Sequence, residues 1–197
     1  MEKKNPNHPQ KGSSIKVDPI TSLKDIANLK KLLEDNPRDL ALFVLGINTN
    51  LRAIDLVQIE AAQFIHAKAG DELVLKEQKT AKGRRITLNE SVLKAVRPWA
   101  VQCRELEQEY LFTGRNGTPM APNYIHKLVQ KWCGKINLTG KYGSHTLRKT
   151  FGYHQRVTFG VDIPTLMEIF NHSSQKQTLD YLCIQPEEIK NVYMNAL

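Results

Sequence analysis

Two short stretches of this sequence carry side chains able to handle a phosphate. In Ser144-His145-Thr146-Leu147-Arg148 an imidazole and a guanidinium stand three residues apart, which on a helix projects both from one face. Arg offers planar donors matched to two phosphate oxygens, and His donates a hydrogen bond or exchanges a proton near neutral pH. Taken alone, such a pair is more often a solvated helix face. The second stretch, NHSSQKQTLDYL from Asn171 to Leu182, sets His172 and a polar run ahead of Tyr181. Tyr181 is either a packing aromatic or a nucleophile. A phenol with a pKa of about 10 attacks phosphorus at neutral pH only with a base or a strongly positive surrounding. Arg52, Arg148 and the histidines would supply that surrounding if the fold gathers them.

The elements that must do the gathering are mostly helical. Ile26, Leu29, Leu32 and Leu33 recur at helical spacing, with Ser22 and Asp25 resembling a capping box at the start. A second helical pattern, RDLALFVLGI, runs into the polar turn Asn48-Thr49-Asn50, and LRAIDLVQI resumes with Arg52 at a helix start. Two β-like runs, ELVLKEQ and RRITL, flank the small polar connection TAKG and predict one antiparallel hairpin, the only convincing strand pair. Helices are then expected over NESVLKAVRPWAVQCRELE, PNYIHKLVQKWCGKI, HTLRKTFGYHQRV, IPTLMEIF, QKQTLDYL and PEEIKNVYMNAL, with TGRNGTP as a plain turn. The fold class is mainly α with a small antiparallel β-sheet (α+β).

Read together, these motifs resemble the tyrosine recombinases, the phage integrase family. Arg52 follows a turn and is itself followed three residues later by an acidic residue, Asp55, as in that family. Lys79-Thr80-Ala81-Lys82-Gly83-Arg84-Arg85-Ile86-Thr87-Leu88 is similar to the family's hairpin with its KTGK-like stretch. SHTLRKTFGYHQ resembles the HxLRHT stretch, and GVDIPTLMEIFNHSSQKQTLDYL the segment that leads to the tyrosine, with Tyr181 nine residues after His172. Motifs agreeing in both type and order make a specific signal. The resemblance implies a tyrosine-recombinase catalytic-domain fold and a catalytic set of Arg52, Lys79, His145, Arg148, His172 and Tyr181, with Lys82 the rival of Lys79 as general acid. Asp55 is either a helix-surface partner or, as the resemblance implies, a buried support. Lys82, Arg84 and Arg85 are expected at a solvated hairpin tip or on DNA phosphates. Three positions depart from the pattern: Asn50 and Asn171 stand where the family usually has Gly, and Lys149 where His is frequent.

The implied chemistry is cleavage and rejoining of double-stranded DNA through a 3′-phosphotyrosyl link, with no metal, ATP or other cofactor. Two fixed guanidinium groups would stabilise charge on the nonbridging oxygens, and a lysine of lowered pKa would protonate the leaving 5′ oxygen. Composition agrees. The 197 residues carry 28 Lys plus Arg against 20 Asp plus Glu, a formal net charge of +8, which favours a polyanionic partner. No apolar run approaches the roughly 18 residues that span a bilayer, so no membrane association and a cytoplasmic location are expected. Cys103, Cys133 and Cys183 lack metal-ligand or disulfide spacing and are expected as reduced, buried thiols.

Residues 1–20 read as a disordered basic tail, 21–185 as the catalytic domain, and 186–197 as a C-terminal helix packing either in cis or into a neighbouring protomer. Self-assembly on DNA as a dimer or tetramer follows from the resemblance. Family members usually carry an N-terminal DNA-clamping domain where this chain has only a tail. Either a solitary catalytic domain, as in the fimbrial-switch recombinases, or a piece of a longer integrase would explain this. The initial Met and basic tail favour the former. Without a clamp, DNA binding would be weak and steeply salt-dependent. The competing readings are a non-catalytic DNA-binding regulator derived from a recombinase and a type IB topoisomerase-like strand transferase. A metal-dependent phosphodiesterase would need ligand clusters that the sequence does not offer.

Overall fold

The structure, a computed structural model, describes residues 17–79, 81–114 and 116–183. Residues 1–16 of the expected tail and the helix expected over 186–197 lie outside the described residues. Residues 17–20, also expected as disordered tail, are instead held in the fold: the Asp18 amide donates to the Lys141 carbonyl at 2.7 Å, the Ile20 amide to Thr150 Oγ1 at 2.9 Å, and Ile20 is buried in the core. Helix α1, Leu23–Leu32, starts where the Ser22 hydroxyl accepts from the Asp25 amide at 3.2 Å, and it buries Ile26 and Leu29. Helix α2, Pro37–Thr49, is capped by Asn36 and is buried along an unbroken run from Ala41 to Gly46. A helix apolar all round belongs at the centre of a fold. It packs on α5, Glu90–Glu105, and on α7, Ser144–Val157, while α6, Pro122–Lys135, lies against α7.

Strands β1, Glu72–Lys76, and β2, Gly83–Thr87, pair antiparallel with Leu73 opposite Ile86 and Leu75 opposite Arg84. The mainly helical fold with one small sheet is thus as the sequence predicts. After α7 come α8, Ile163–Phe170, and α9, Gln175–Leu182.

Four local expectations change. The turn expected at 48–50 is mostly helix: α2 continues through Thr49 and ends at Asn50, which adopts the left-handed conformation (φ 53°, ψ 25°). The helix expected over LRAIDLVQI shrinks to α3, Ala53–Leu56, because the following chain takes main-chain partners across the fold. The Leu111 amide donates to the Ile59 carbonyl at 2.9 Å and the Ala61 amide to the Glu109 carbonyl at 2.8 Å, pairing Glu60 with Tyr110. A further short helix, α4, Ala62–Ile65, follows and packs on α5. At the two ends of TGRNGTP, Thr113 and Pro119 pair in an isolated bridge, and the Gly114 amide donates to the Thr118 carbonyl at 2.7 Å.

Two apolar clusters result. The large one gathers Leu29, Leu42, Phe43, Leu45, Phe64, Phe112, Ile125, Trp132 and Leu147; the small one centres on Leu166, Phe170 and Leu182 of α8 and α9. Helix α7 contributes Leu147 to the first and Phe151 and Tyr153 to the second, so it joins them.

Candidate active site

The site lies along the seam between those clusters, and two glycines let it close. A Cβ on Gly46 would stand 2.6 Å from Leu147 Cδ1, so α2 and α7 approach as only glycine allows. A Cβ on Gly152 would stand 2.4 Å from Leu182 Cδ2 and 2.6 Å from Phe170 Cζ, so α8 and α9 sit directly on α7. Gly152 is one helical turn beyond Arg148. The close approach therefore falls beside the guanidinium.

Arg148 is 3% exposed. Its Nη1 donates to the Asn50 carbonyl at 2.7 Å, its Nη2 donates to the Phe170 carbonyl at 3.2 Å, and its Cζ lies 4.9 Å from the centroid of the Phe170 ring. Both carbonyls stand at C-terminal ends of helices, where main-chain oxygens lack helical partners and favour a cation. Burial lowers the guanidinium to about 10, against the nearby Tyr181 and Glu77, which hold it up. It remains a cation at neutral pH.

Asn50 and Asn171 explain two of the departures from the family pattern. Both end a helix in the left-handed region, Asn50 at φ 53° and Asn171 at φ 54°. Asn tolerates that conformation better than other residues bearing a Cβ. Asn50 also uses its amide, donating to the Ile169 carbonyl at 2.8 Å and so tying the end of α2 to α8.

Arg52 caps α3 and donates from Nη1 to Glu77 Oε2 at 2.9 Å. The other oxygen of that carboxylate accepts from Arg84 Nη1 at 2.7 Å, and Arg84 Nη2 reaches the Ile169 carbonyl at 3.1 Å. Glu77 is 6% exposed, and it is a residue the motif reading passed over. The signal was available: Glu77 continues the inward register of Leu73 and Leu75, and a carboxylate on a buried strand face needs a cation. Arg84 is corrected by the same rule. Of the two expectations for it, a solvated tip or a DNA-phosphate contact, the first does not hold: it shares the inward face with Ile86, whereas Arg85 points outward and pairs with Glu72 at 3.1 Å.

Asp55, 1% exposed, accepts from the Gln78 amide at 2.8 Å and so supports the chain just before Lys79. The surface-pair alternative for Asp55 does not hold, because the side chain is enclosed. Lys79 is exposed at the hairpin turn, and its charge reaches His145. Lys82 instead directs Nζ to Asn171 Oδ1 at 3.4 Å.

His145 opens the first turn of α7 and is exposed as a residue, though partly desolvated by its surroundings. Burial, then the charges of Arg148, Lys149, Arg52 and Lys79, hold it below the ordinary value of 6.5. His172 Nδ1 lies 3.0 Å from Thr178 Oγ1, which fixes the ring. Burial, then Arg148 and Arg52, hold it low as well. Both imidazoles are therefore neutral at pH 7. The Tyr181 ring packs edge-on to His172 at 5.3 Å and tilted on Phe170 at 5.3 Å.

The Tyr181 hydroxyl is enclosed and makes no well-formed hydrogen bond among the described residues, although the Arg148 side chain lies close enough to act on it. Burial raises its pKa above 10.0, while the charges of Arg148 and Arg52 pull it down. Asn50 Oδ1 and Asp55 Oδ2 are also buried without hydrogen-bond partners among the described residues.

Cys103 and Cys133 are buried, with burial pushing their thiols up to about 11 and about 12. Cys183, expected to be buried, is exposed because it forms the C-cap of α9.

Comparison with known proteins shows the family of the chain. The Phage integrase family matches residues 18–188. A probable integrase/recombinase, YoeC of Bacillus subtilis (strain 168), is 35% identical over 181 residues, which cover 90% of this chain and 95% of that protein. Tyrosine recombinase XerC of Bradyrhizobium diazoefficiens is 28% identical over 161 residues, 81% of this chain but 50% of that protein. Among solved structures, XerA recombinase superposes with a TM-score of 0.74 at 19% identity, covering 90% of this chain and 65% of that one. XerH site-specific recombinase bound to palindromic difH substrate in a post-cleavage complex also gives 0.74, at 17% identity, covering 92% and 53%. The chain thus spans nearly all of YoeC and about half to two thirds of the Xer proteins. With the family matched over most of its length and the expected motifs folded to one seam, the chain belongs to the phage integrase family.

Proposed function

We propose that the chain is a site-specific DNA recombinase that cleaves and rejoins double-stranded DNA through a 3′-phosphotyrosyl intermediate on Tyr181, assembling on DNA as a dimer or tetramer. The observation that carries this reading is the enclosed Tyr181 hydroxyl within reach of Arg148 and Arg52, with the His172 ring packed edge-on to it at 5.3 Å. A scissile phosphate entering there meets two guanidinium groups whose positions are already fixed by protein acceptors. Such preorganised donors stabilise the pentacovalent oxygens without reorganisation cost at the moment of reaction.

In the proposed step the Tyr181 oxygen bonds to phosphorus and the bond from phosphorus to O5′ breaks. The phenolic proton passes to neutral His145, and Lys79 gives a proton to the departing O5′. His172 donates to a nonbridging oxygen. Attack of a second 5′ hydroxyl on the phosphotyrosine reverses these transfers and rejoins a strand, and the scheme calls on no metal or nucleotide. Lys79 suits the acid role better than Lys82 because its charge acts on His145, whereas Lys82 turns to Asn171.

The test is a randomised library of nicked suicide duplexes incubated with the protein and resolved under denaturing conditions. A covalent adduct is expected from the wild type and none from Tyr181→Phe; an adduct retained in the variant moves the nucleophile elsewhere. Lys79→Ala should slow adduct formation on an ordinary duplex and recover on one with a bridging sulfur at the 5′ position. Absence of that recovery passes the acid role to Lys82.

A further inference from the structure

Lys149 departs from the family pattern and takes no part in the steps above, yet it is one of the more deeply enclosed charges in the molecule at 4% exposed. An ammonium has three donors, and taking it out of water is costly unless they are met. Here Nζ donates to Cys183 Sγ at 3.3 Å and lies 5.2 Å from the centroid of the Tyr181 ring. A thiol is a weak acceptor, so the ring face and the sulfur together hold the charge.

Both contacts are on α9, and they bracket the nucleophile: one is its own ring, the other is the residue two positions on. Cys183 is held at φ 61°, a left-handed conformation that a residue with a Cβ adopts at a cost. Consecutive residues of α7 thus divide the labour. Arg148 faces the phosphate seam and Lys149 reaches under the ring.

We propose that Lys149 is a positioning residue for Tyr181, its buried ammonium fixing the ring face and the C-cap sulfur of α9 so that the phenolic oxygen stays aimed at the phosphate held by Arg148. The inference rests on the proposed role of Tyr181 as nucleophile. It accounts for a buried cation at a position where an apolar side chain of the same length would pack without a desolvation cost.

The test compares single-turnover cleavage, DNA affinity and thermal stability across variants. In Lys149→Met the volume is kept and the charge removed, so Tm should be at or above the wild type. Cleavage should fall about tenfold with the Kd for DNA unchanged, and Lys149→Arg should restore most of the rate. A bridging sulfur at the 5′ position should leave the Lys149→Met defect in place, since the leaving group is not what was lost. Wild-type cleavage in Lys149→Met, or parallel losses of rate, affinity and Tm, would overturn the inference. Should Lys149→Met not fold, Cys183→Ala against Cys183→Ser decides: Ala should slow cleavage about threefold and Ser restore it. Equal rates in Cys183→Ala and wild type would overturn the proposal. Absence of any adduct from the wild type removes the nucleophile and this inference with it; a wild-type adduct with an unaffected Lys149→Met removes the inference alone.

Discussion

Glu77 shows how one side chain can set two others. Its carboxylate is shared between Arg52 and Arg84, and its backbone closes the hairpin turn, its amide donating to the Lys82 carbonyl at 2.9 Å and its carbonyl accepting from the Ala81 amide at 2.9 Å. Glu77→Gln leaves two guanidinium groups facing a neutral amide in a site of low exposure. Breaking a buried ion pair from one side costs on the order of 3 kcal/mol, which for a domain of this size is about 10 °C in Tm. Differential scanning calorimetry should show that fall, and the adduct assay a matching loss as Arg52 loses its anchor. His172 gives a second residue-scale expectation. Burial and then the Arg148 and Arg52 charges place its folded pKa below the ordinary 6.5. The unfolded chain therefore takes up a proton that the folded chain resists. Stability from this group is complete above 6.5 and is lost as pH falls through 6.5 toward the lower folded value. Between about pH 7.5 and about pH 5.5 the wild type should lose more Tm than His172→Gln does. An equal loss in both would mean that His172 titrates in the folded protein as it does in water.

At the scale of elements, the seam depends on α7 being approached closely on one side by α2 and on the other by α8 and α9. Gly152 is the sharper of the two contacts, because an added methyl would meet both Leu182 and Phe170. Gly152→Ala should cost about 1 to 3 kcal/mol by overpacking and displace α9 with it. Adduct formation should fall by more than the loss of folded protein explains, measured at a temperature where circular dichroism shows the variant folded. A variant with wild-type cleavage would mean that α9 tolerates the shift. The hairpin is the other decisive element. Asp55 holds its approach through the Gln78 amide and Glu77 holds its closing turn, so the exposed Lys79 rides on a buried support.

Across the whole molecule, the large core built on α2 and α5 and the small core built on α8 and α9 meet through α7. Arg52 and the hairpin belong to the first body, and His172 and Tyr181 to the second. Among the described residues, hydrogen bonds that join them at the site include those of Arg148 to Asn50 and Phe170, of Asn50 to Ile169, of Arg84 to Ile169 and of Lys82 to Asn171. All but the bond from Arg148 to the Asn50 carbonyl end on the last turn of α8 or just past it. The end of α8 is thus the point at which one body registers the other. No described helix is long and apolar enough to cross a membrane.

The sequence by itself determined the identities and order of the six candidate residues, the helical class, the single hairpin and the family. These follow from local periodicity, turn residues and motif spacing, which are properties of contiguous segments. Tertiary structure alone decided the rest. The reach of α2 through Thr49 depends on Asn50 finding Ile169 and Arg148, which are 119 and 98 residues away along the chain but close in space. The shortening of α3 depends on main-chain partners near Leu111 that no local pattern announces. Glu77 was legible in strand alternation, but its partners were not, because which cation meets a buried carboxylate is set by packing. Lys149 stands in the sequence as a substitution beside Arg148, and only the docking of α9 turns it into a charge beneath the Tyr181 ring. Spacing along the chain can nominate a catalytic set, whereas the acceptors that fix each member come from distant segments brought near by burial of apolar surface.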